Sequence, residues 1–251
     1  MSSIWAIADL HLALGIPEKT MEFFGEPWIG YTEKMEKNWR EKIKPEDLVL
    51  IAGDISWAMK PEQALKDLLW IDNLPGTKVM IRGNHDYWWT SLAQIKKILP
   101  SSIHIIQNNV YHWHEFSIGG ARMWDTPEYD FKQFVIYQEN PRAKKLSDSL
   151  ENMEENEKIF LRELGRLELS LQGFLEKPKN KRIVMTHYPP LGVEGKSSRI
   201  STLLEKYEVE VCVFGHLHSL GKDFPMCWER EKIKYFLTSS DFLDFNPIKI
   251  F

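Results

Sequence analysis

The sequence predicts an α/β fold, a sheet core covered by helices, and three observations carry the prediction. Short apolar runs recur along the chain, segments with helical spacing lie between several of them, and each run ends abruptly in polar residues. Runs as continuously apolar as these belong to strands buried on both faces.

The first run is IWAIA at 4–8, which passes into Asp9, Leu10 and His11. Residues 32–43 carry Met35, Trp39 and Ile43 one helical turn apart, with Thr32 as candidate cap and Pro45 beyond the end, a helix lying on the sheet. The second run, LVLIA at 48–52, ends in Gly53 and Asp54. Residues 61–72 repeat the helical pattern, with Ala64, Leu65, Leu68 and Leu69 on one side. A third run, KVMI at 78–81, meets Arg82, Gly83, Asn84, His85 and Asp86. Taken alone, that cluster reads equally well as a turn, because Gly, Asn and Asp tolerate positive φ.

Residues 110–124 alternate as a hairpin entered through Asn108 and Asn109 and turned near Ser117, with His112 and His114 on one face. From 147 to 176 the chain is charged, with Leu150, Met153, Phe160, Leu164, Leu167, Leu171 and Phe174 mostly three or four residues apart. That spacing predicts one or two amphipathic helices packed on the domain, a lid or partner-binding helix above the site being the alternative. Two last strands follow, RIVM at 182–185 running into Thr186 and His187, and VEVCVF at 209–214 running into Gly215, His216, Leu217 and His218. In open α/β sheets ligands bind at the carboxyl ends of strands, where all these polar residues fall.

With 251 residues, 43% of them hydrophobic, the chain can bury the core of one large α/β domain, 1–251, with a largely helical insertion at about 125–178. A net charge of -4, from 32 basic against 36 acidic residues, gives no basic field of the kind that dedicated nucleic-acid binders carry. No apolar stretch reaches the length of a membrane span or a signal peptide, so the expected location is the cytoplasm. The two cysteines form no spacing pattern, and Cys212, inside an apolar run, reads as a buried inert thiol.

The strand ends together offer carboxylates, one amide and four imidazoles without a thiolate. Mixed oxygen and nitrogen donors suit Mn²⁺, Fe, Zn²⁺ or Mg²⁺ in hydrolytic work, manganese being favoured here, and the absence of cysteine argues against a structural zinc site. Seven side chains are too many for one ion. Two ions about 3.5–4 Å apart, sharing a carboxylate and a water, would use them all for in-line displacement at phosphorus.

The ordered set Asp9-x-His11, Gly53-Asp54, Gly83-Asn84-His85-Asp86, His187 and Gly215-His216-x-His218 resembles the calcineurin-like metallophosphoesterases. The phrases GDISWAM and FLTSSDFLDFNPIKI resemble more narrowly a group of uncharacterised bacterial phosphohydrolases within that family. The resemblance implies a four-layer α-β-β-α sandwich of two mixed sheets with flanking helices. It implies a first metal on Asp9, His11, Asp54 and His218, and a second on Asp54, Asn84, His187 and His216, with Asp54 bridging. His85 would be the general acid toward the leaving oxygen, and a metal-bridging water or hydroxide the nucleophile. In several members a second aspartate orients that histidine; here the matching position is Trp57. Asp86 is expected to brace its own loop.

Arg82, Arg122, Lys196 and Arg199 are candidate phosphate-binding cations, and Trp57, Trp88, Trp89 and Trp124 a candidate aromatic wall. The expected partner is a small phosphoester: a diester, a pyrophosphate or a monoester. A nuclease, a hydrolase of a nucleotide-linked lipid and a non-catalytic binding module are the competing readings.

Overall fold

The computed structural model describes residues 2–136 and 150–251. Its strands, in chain order, are β1 (Ile4–Ile7), β2 (Leu48–Ile51), β3 (Thr77–Met80), β4 (Ile103–Ile105), β5 (Tyr111–Trp113) and β6 (Phe116–Ala121). They continue as β7 (Lys181–Thr186), β8 (Val211–Phe214), β9 (Cys227–Arg230), β10 (Ile233–Leu237) and β11 (Ile248–Lys249). The α-helices are α1 (Tyr31–Lys42), α2 (Pro61–Asp72), α3 (Leu92–Ile95), α4 (Leu150–Gln172) and α5 (Arg199–Lys206).

Two mixed sheets form, ordered β11-β1-β2-β3-β4 and β5-β6-β7-β8-β10-β9. Within each, the central strands run parallel and the edge pairs β11–β1, β5–β6 and β9–β10 antiparallel. Alternate side chains sort the layers. Ile4, Ala6, Leu48, Leu50 and Val79 of the first sheet meet Ile118, Ile183, Met185 and Val213 of the second. Their neighbours Ile7, Val49, Ile51 and Met80 face outward onto Met35 and Trp39 of α1 and Leu68 and Ile71 of α2. On the far side, Val184, Cys212 and Phe214 pack under Phe160, Leu167 and Leu171 of α4 and Ile200 and Leu204 of α5. The order is thus helices, sheet, sheet, helices, as the family resemblance implies.

The five strands predicted at 4–8, 48–52, 78–81, 182–185 and 209–214 are all present. Helix α2 has the predicted bounds, but its buried face includes Asp67 while Leu69 is 47% exposed. Asp67 is held inside because its carboxylate accepts from the Leu14 amide at 2.8 Å and the Ser56 hydroxyl at 2.5 Å. Helix α1 starts one residue before Thr32, on Gly30 in the left-handed region at φ 64°. The hairpin turns at 114–115 rather than at Ser117, which lies inside β6 and bonds His112 Nδ1 at 2.9 Å. His114 sits in that turn with φ 48°, so it does not share a strand face with His112. Part of the amphipathic segment, 147–149, lies outside the described residues; the rest forms α4 and a following 3-10 turn, packed on β6. Among the described residues no helix is long and apolar enough to cross a membrane. Cys212 is fully buried, and burial pushes its thiol up to about 12, in line with an inert role.

The two sheets are pinned together where the site forms. Ala8, just past β1, bridges Ser239, just past β10: its amide donates to Thr238 at 2.7 Å and its carbonyl accepts from Ser240 at 3.0 Å.

Candidate metal centre

Strand-end segments from both sheets converge on one point. Asp9, His11 and Asp54 follow β1 and β2; Asn84 and His85 follow β3; His187, His216 and His218 follow β7 and β8. Four of these residues, Asp9, His11, Asp54 and His216, hold φ between 46° and 73°, where side chains other than glycine are strained. The surroundings impose that conformation, since the Asp9 amide donates to Gly53 at 2.9 Å and the His11 amide to Asp54 at 3.0 Å. Two glycines make room. A Cβ on Gly83 would lie 2.0 Å from Asp54 Oδ1, and one on Gly53, itself at φ 96°, 2.7 Å from His187 Nδ1.

The seven residues expected as ligands stand side by side. His11 Nε2 faces His218 Nε2 at 3.1 Å, and His218 Nε2 is 3.6 Å from Asp9 Oδ1. Asn84 Oδ1 accepts from His187 Nε2 at 2.7 Å and from His216 Nδ1 at 3.0 Å. Asp54 Oδ2 lies between the two groups, 3.8 Å from His11 Nε2 and 3.4 Å from His187 Nε2. Donor atoms of Asp9, His11 and His218 fall within 4.8 Å of one another, as do those of Asp9, Asp54 and His187.

The titration of the cluster follows from crowding acids and imidazoles in a buried space. Burial works against charge on His187, yet the Asp54 and Asp9 carboxylates outweigh it and lift the imidazole to about 9. Both of its ring nitrogens face acceptors, the Ala52 carbonyl at 3.0 Å and Asn84 Oδ1, so it carries two protons. His218 is likewise raised, burial being overcome by Asp241 and Asp9. Burial also opposes charge on Asp9, but His218 and His187 hold that carboxyl down to about 2. His11 and His216, where burial prevails, fall to about 3. Protons on His187 and His218 therefore balance the carboxylates in the position where cations would do so. With oxygen and imidazole donors facing one another and His11 Nδ1 buried without a partner, the residues fit a divalent-metal site.

Three neighbours shape the cluster. Asp86 accepts four N–H groups, from Gly83 at 2.7 Å, Ile55 at 2.9 Å, Ser56 at 3.1 Å and the Trp88 indole at 2.9 Å. It ties the Asn84 loop to the Asp54 loop, as its expected bracing role requires. Trp57 stacks on His11, ring centroids 5.0 Å apart, and lies 4.4 Å from His85. His85 Nδ1 is buried without a hydrogen-bond partner, while its amide donates to Asp54 Oδ1 at 2.8 Å. Sequence reasoning missed the third, Asp241, which accepts from His218 Nδ1 at 2.9 Å and from the Ser219 amide at 2.9 Å. The available signal was the same one that found the others: Asp241 follows an apolar run, IKYFL, through Thr238, Ser239 and Ser240.

A cleft of about 410 Å³ opens beside His216 and His218, walled by Trp124, Tyr129, Phe131 and Tyr188. Of the expected aromatic wall, Trp57 and Trp124 reach the site region, whereas Trp88 and Trp89 are buried core. The candidate cations divide. Arg199 is paired away from the cleft: Glu128 and Glu157 hold its guanidinium, which also lies 4.2 Å over the Phe160 ring. Lys196 is exposed and lines no wall of the cleft. Arg82 and Arg122 share a separate cavity.

The model of the calcineurin-like phosphoesterase family matches residues 2–220. Two curated phage proteins match over a shorter stretch: the gene 66 protein of Mycobacterium phage D29, 35% identical over 86 residues, and that of phage L5, 33% identical over 88. The matched region takes in 34% of this chain and 41% of each relative, so the chain spans about two fifths of the length of the proteins it matches. Solved structures share the fold at low identity. A phosphopantetheinyl hydrolase from Mycobacterium tuberculosis aligns with a TM-score of 0.53 at 13% identity, over 99% of this chain and 95% of its own. The protein TT1561 of Thermus thermophilus aligns with a TM-score of 0.57 at 10% identity, over 99% and 98%. Spanning the strand ends that carry the clustered aspartates, asparagine and histidines, the family match places this chain among the calcineurin-like phosphoesterases.

Proposed function

We propose that the chain is a dinuclear metal-dependent phosphoesterase acting on a small substrate through a phosphodiester, pyrophosphate or phosphomonoester bond. The first ion would rest on Asp9, His11, Asp54 and His218, and the second on Asp54, Asn84, His187 and His216. The observation that carries this reading is the facing of His11 and His218 through their Nε2 atoms at 3.1 Å beside two buried carboxylates. Two imidazole nitrogens and two buried carboxylates converging on one point, with no thiolate among them, form a donor set suited to divalent cations. Divalent ions there supply Lewis-acid stabilisation of charge on the phosphoryl oxygens and make water acidic enough to ionise near neutrality.

The chain's own groups orient and protonate. Asp54, between the two ligand groups, would supply the charge to hold two cations close. The Ala52 carbonyl fixes the Nδ1 proton of His187, and Asp241 that of His218, so each turns Nε2 inward. His85 stands over Trp57 and serves as general acid to the leaving oxygen. Burial lowers its pKa below 6.5, Asp54 acting the other way, so its imidazolium is a stronger acid than a free one. Trp57 orients it by packing, in place of a carboxylate. The aromatic cleft beside His216 favours a leaving group or ester carrying a ring.

On this reading the chain works as one domain, and the insertion at about 125–178 furnishes the cleft wall and α4. The test is elemental analysis of purified protein followed by assays on bis-(p-nitrophenyl) phosphate and p-nitrophenyl phosphate with manganese. Protein that holds no divalent metal, or an Asp54→Asn variant as active as the parent, would sink the reading.

A further inference from the structure

Arg82, just past β3, and Arg122, just past β6, line a cavity of about 140 Å³ outside the aromatic cleft, and Arg166 of α4 completes its wall. Three guanidinium groups thus face a single carboxylate, Glu163. Glu163 is buried and already committed, accepting from Arg166 Nη1 at 2.8 Å and Arg122 Nη2 at 3.3 Å. Arg82 forms no ion pair among the described residues, and its buried Nε has no hydrogen-bond partner. Arg82 is half-buried; Asp86 and Glu163 favour its charge while Arg122 and Arg166 oppose it, and its Nε proton is left without an acceptor, so this wall of three guanidinium groups has hydrogen-bonding capacity to spare. Gln107 and Asn108 add neutral amides to the same wall.

We propose that this cavity is an oxyanion subsite for a phosphate group, either a second phosphate on the substrate or free inorganic phosphate. Guanidinium forks match the oxygens of phosphate in pairs, and that match distinguishes arginine from lysine. At about 140 Å³ the cavity has room for a tetrahedral anion. The subsite adjoins the metal-ligand cluster through the backbone. Arg82 is separated from Asn84 by Gly83 alone, and the Arg122 carbonyl accepts the amides of His187 and Tyr188, each at 3.1 Å. Helix α4 brings both Glu163 and Arg166, so the insertion shapes what the site accepts. Anion binding stands by itself; the substrate source rests on the phosphoesterase reading above.

Inorganic phosphate is titrated by calorimetry into the full chain, as purified and after chelation of metal. The chelated protein is expected to bind phosphate saturably. Affinity falls at least about tenfold in Arg82→Met and in Arg166→Gln, the loss of one charge-assisted contact, and is kept in Asp54→Asn. Thermal melts check folding; Arg166 is the more exposed of the two arginines, so its variant carries the test if Arg82→Met unfolds. No binding by the chelated parent, undiminished binding by the arginine variants, or equal loss in Asp54→Asn overturns the proposal. The source is read from KM for the p-nitrophenyl ester of thymidine 5′-phosphate with and without a 3′-phosphate. A rise confined to the 3′-phosphorylated ester in Arg82→Met assigns the subsite to substrate, and unchanged KM values beside lost phosphate binding assign it to the free ion. If the parent turns over neither ester, the assignment to substrate is lost, while the calorimetry still decides anion binding.

Discussion

Asp241 Oδ1 accepts the Nδ1 proton of His218 at 2.9 Å, which leaves Nε2 of that ring facing His11. A carboxylate behind a ligating imidazole fixes its tautomer and raises its basicity, and losing such a partner costs about 10–100-fold in metal affinity. Asp241→Ala is therefore expected to weaken the metal on His218 by about that factor, read by competition with a chromogenic chelator. Asp241→Asn, which keeps an oxygen near Nδ1, should lose less. Unchanged affinity in Asp241→Ala would remove its orienting role.

His85→Ala should lower turnover with metal content intact. The loss is expected to depend on the leaving group: about 10²–10⁴-fold for an alkyl phosphoester, whose alkoxide needs the proton, and far less for a p-nitrophenyl ester. Because burial lowers the His85 pKa below 6.5, its contribution as acid should decline as pH rises past that lowered value. Equal losses on both esters would show that His85 does not protonate the leaving group.

Metal uptake should release protons. His187, raised to about 9, and His218, raised as well, are both protonated at neutral pH without metal and must each lose the Nε2 proton to coordinate. Apparent affinity is expected to climb with pH from neutrality toward 9, and titration heats to scale with the ionisation enthalpy of the buffer. Heats independent of buffer would contradict the protonation of these two rings.

Gly83→Ala should abolish metal binding and destabilise the fold together. The new Cβ would stand 2.0 Å from Asp54 Oδ1 and 2.2 Å from its amide nitrogen, so one loop must move. Overpacking of this kind costs about 1–3 kcal/mol, read as a lowered Tm alongside lost metal.

Buried Asp67 makes stability fall as pH rises. Burial raises its carboxyl from 3.8 to about 6, so between those values the folded chain keeps a proton that the unfolded chain has lost. Its stabilising effect is complete below 3.8 and gone above about 6, a difference of about 3 kcal/mol at the reference scale of 1.36 kcal/mol per unit. Asp67→Asn, which keeps hydrogen bonds to Leu14 and Ser56 without ionising, should be the more stable protein at pH 8 and match the parent near pH 4 by denaturant titration. A constant difference between the two across that range would contradict the raised pKa.

Much of this centre is legible in the sequence because both of its components are local. An apolar run announces a strand, and the residue after it announces what the strand end presents, which is why Asp9, Asp54, Asn84, His187, His216 and His218 could be named before any geometry. Strands β4, β9, β10 and β11 were not read from the sequence: β4, β9 and β11 are short or polar edge strands, and the run of β10 is interrupted by Lys234. The fate of Arg199 depends on Glu128 and Glu157, 71 and 42 residues away, and no spacing rule reaches so far. Asp67 was hidden by its setting in an otherwise amphipathic helix, where a charged residue belongs on the wet face. Trp57 could be seen to depart from the family pattern, but its stacking on His11 could not.

The bridge between Ala8 and Ser239 also bears on how the chain folds. Asp9 and His218 meet across 209 positions, and the amide of His216 reaches Asp9 across a separation of 207, so the ligands assemble only when nearly the whole polypeptide has closed on itself. Contacts so distant in sequence must overcome a large loop-closure entropy before they contribute. Neither sheet alone can collect the ligand set, so a half-formed intermediate presents no complete site for ions to stabilise. Metal capture is then a late event that reports the docking of the two halves.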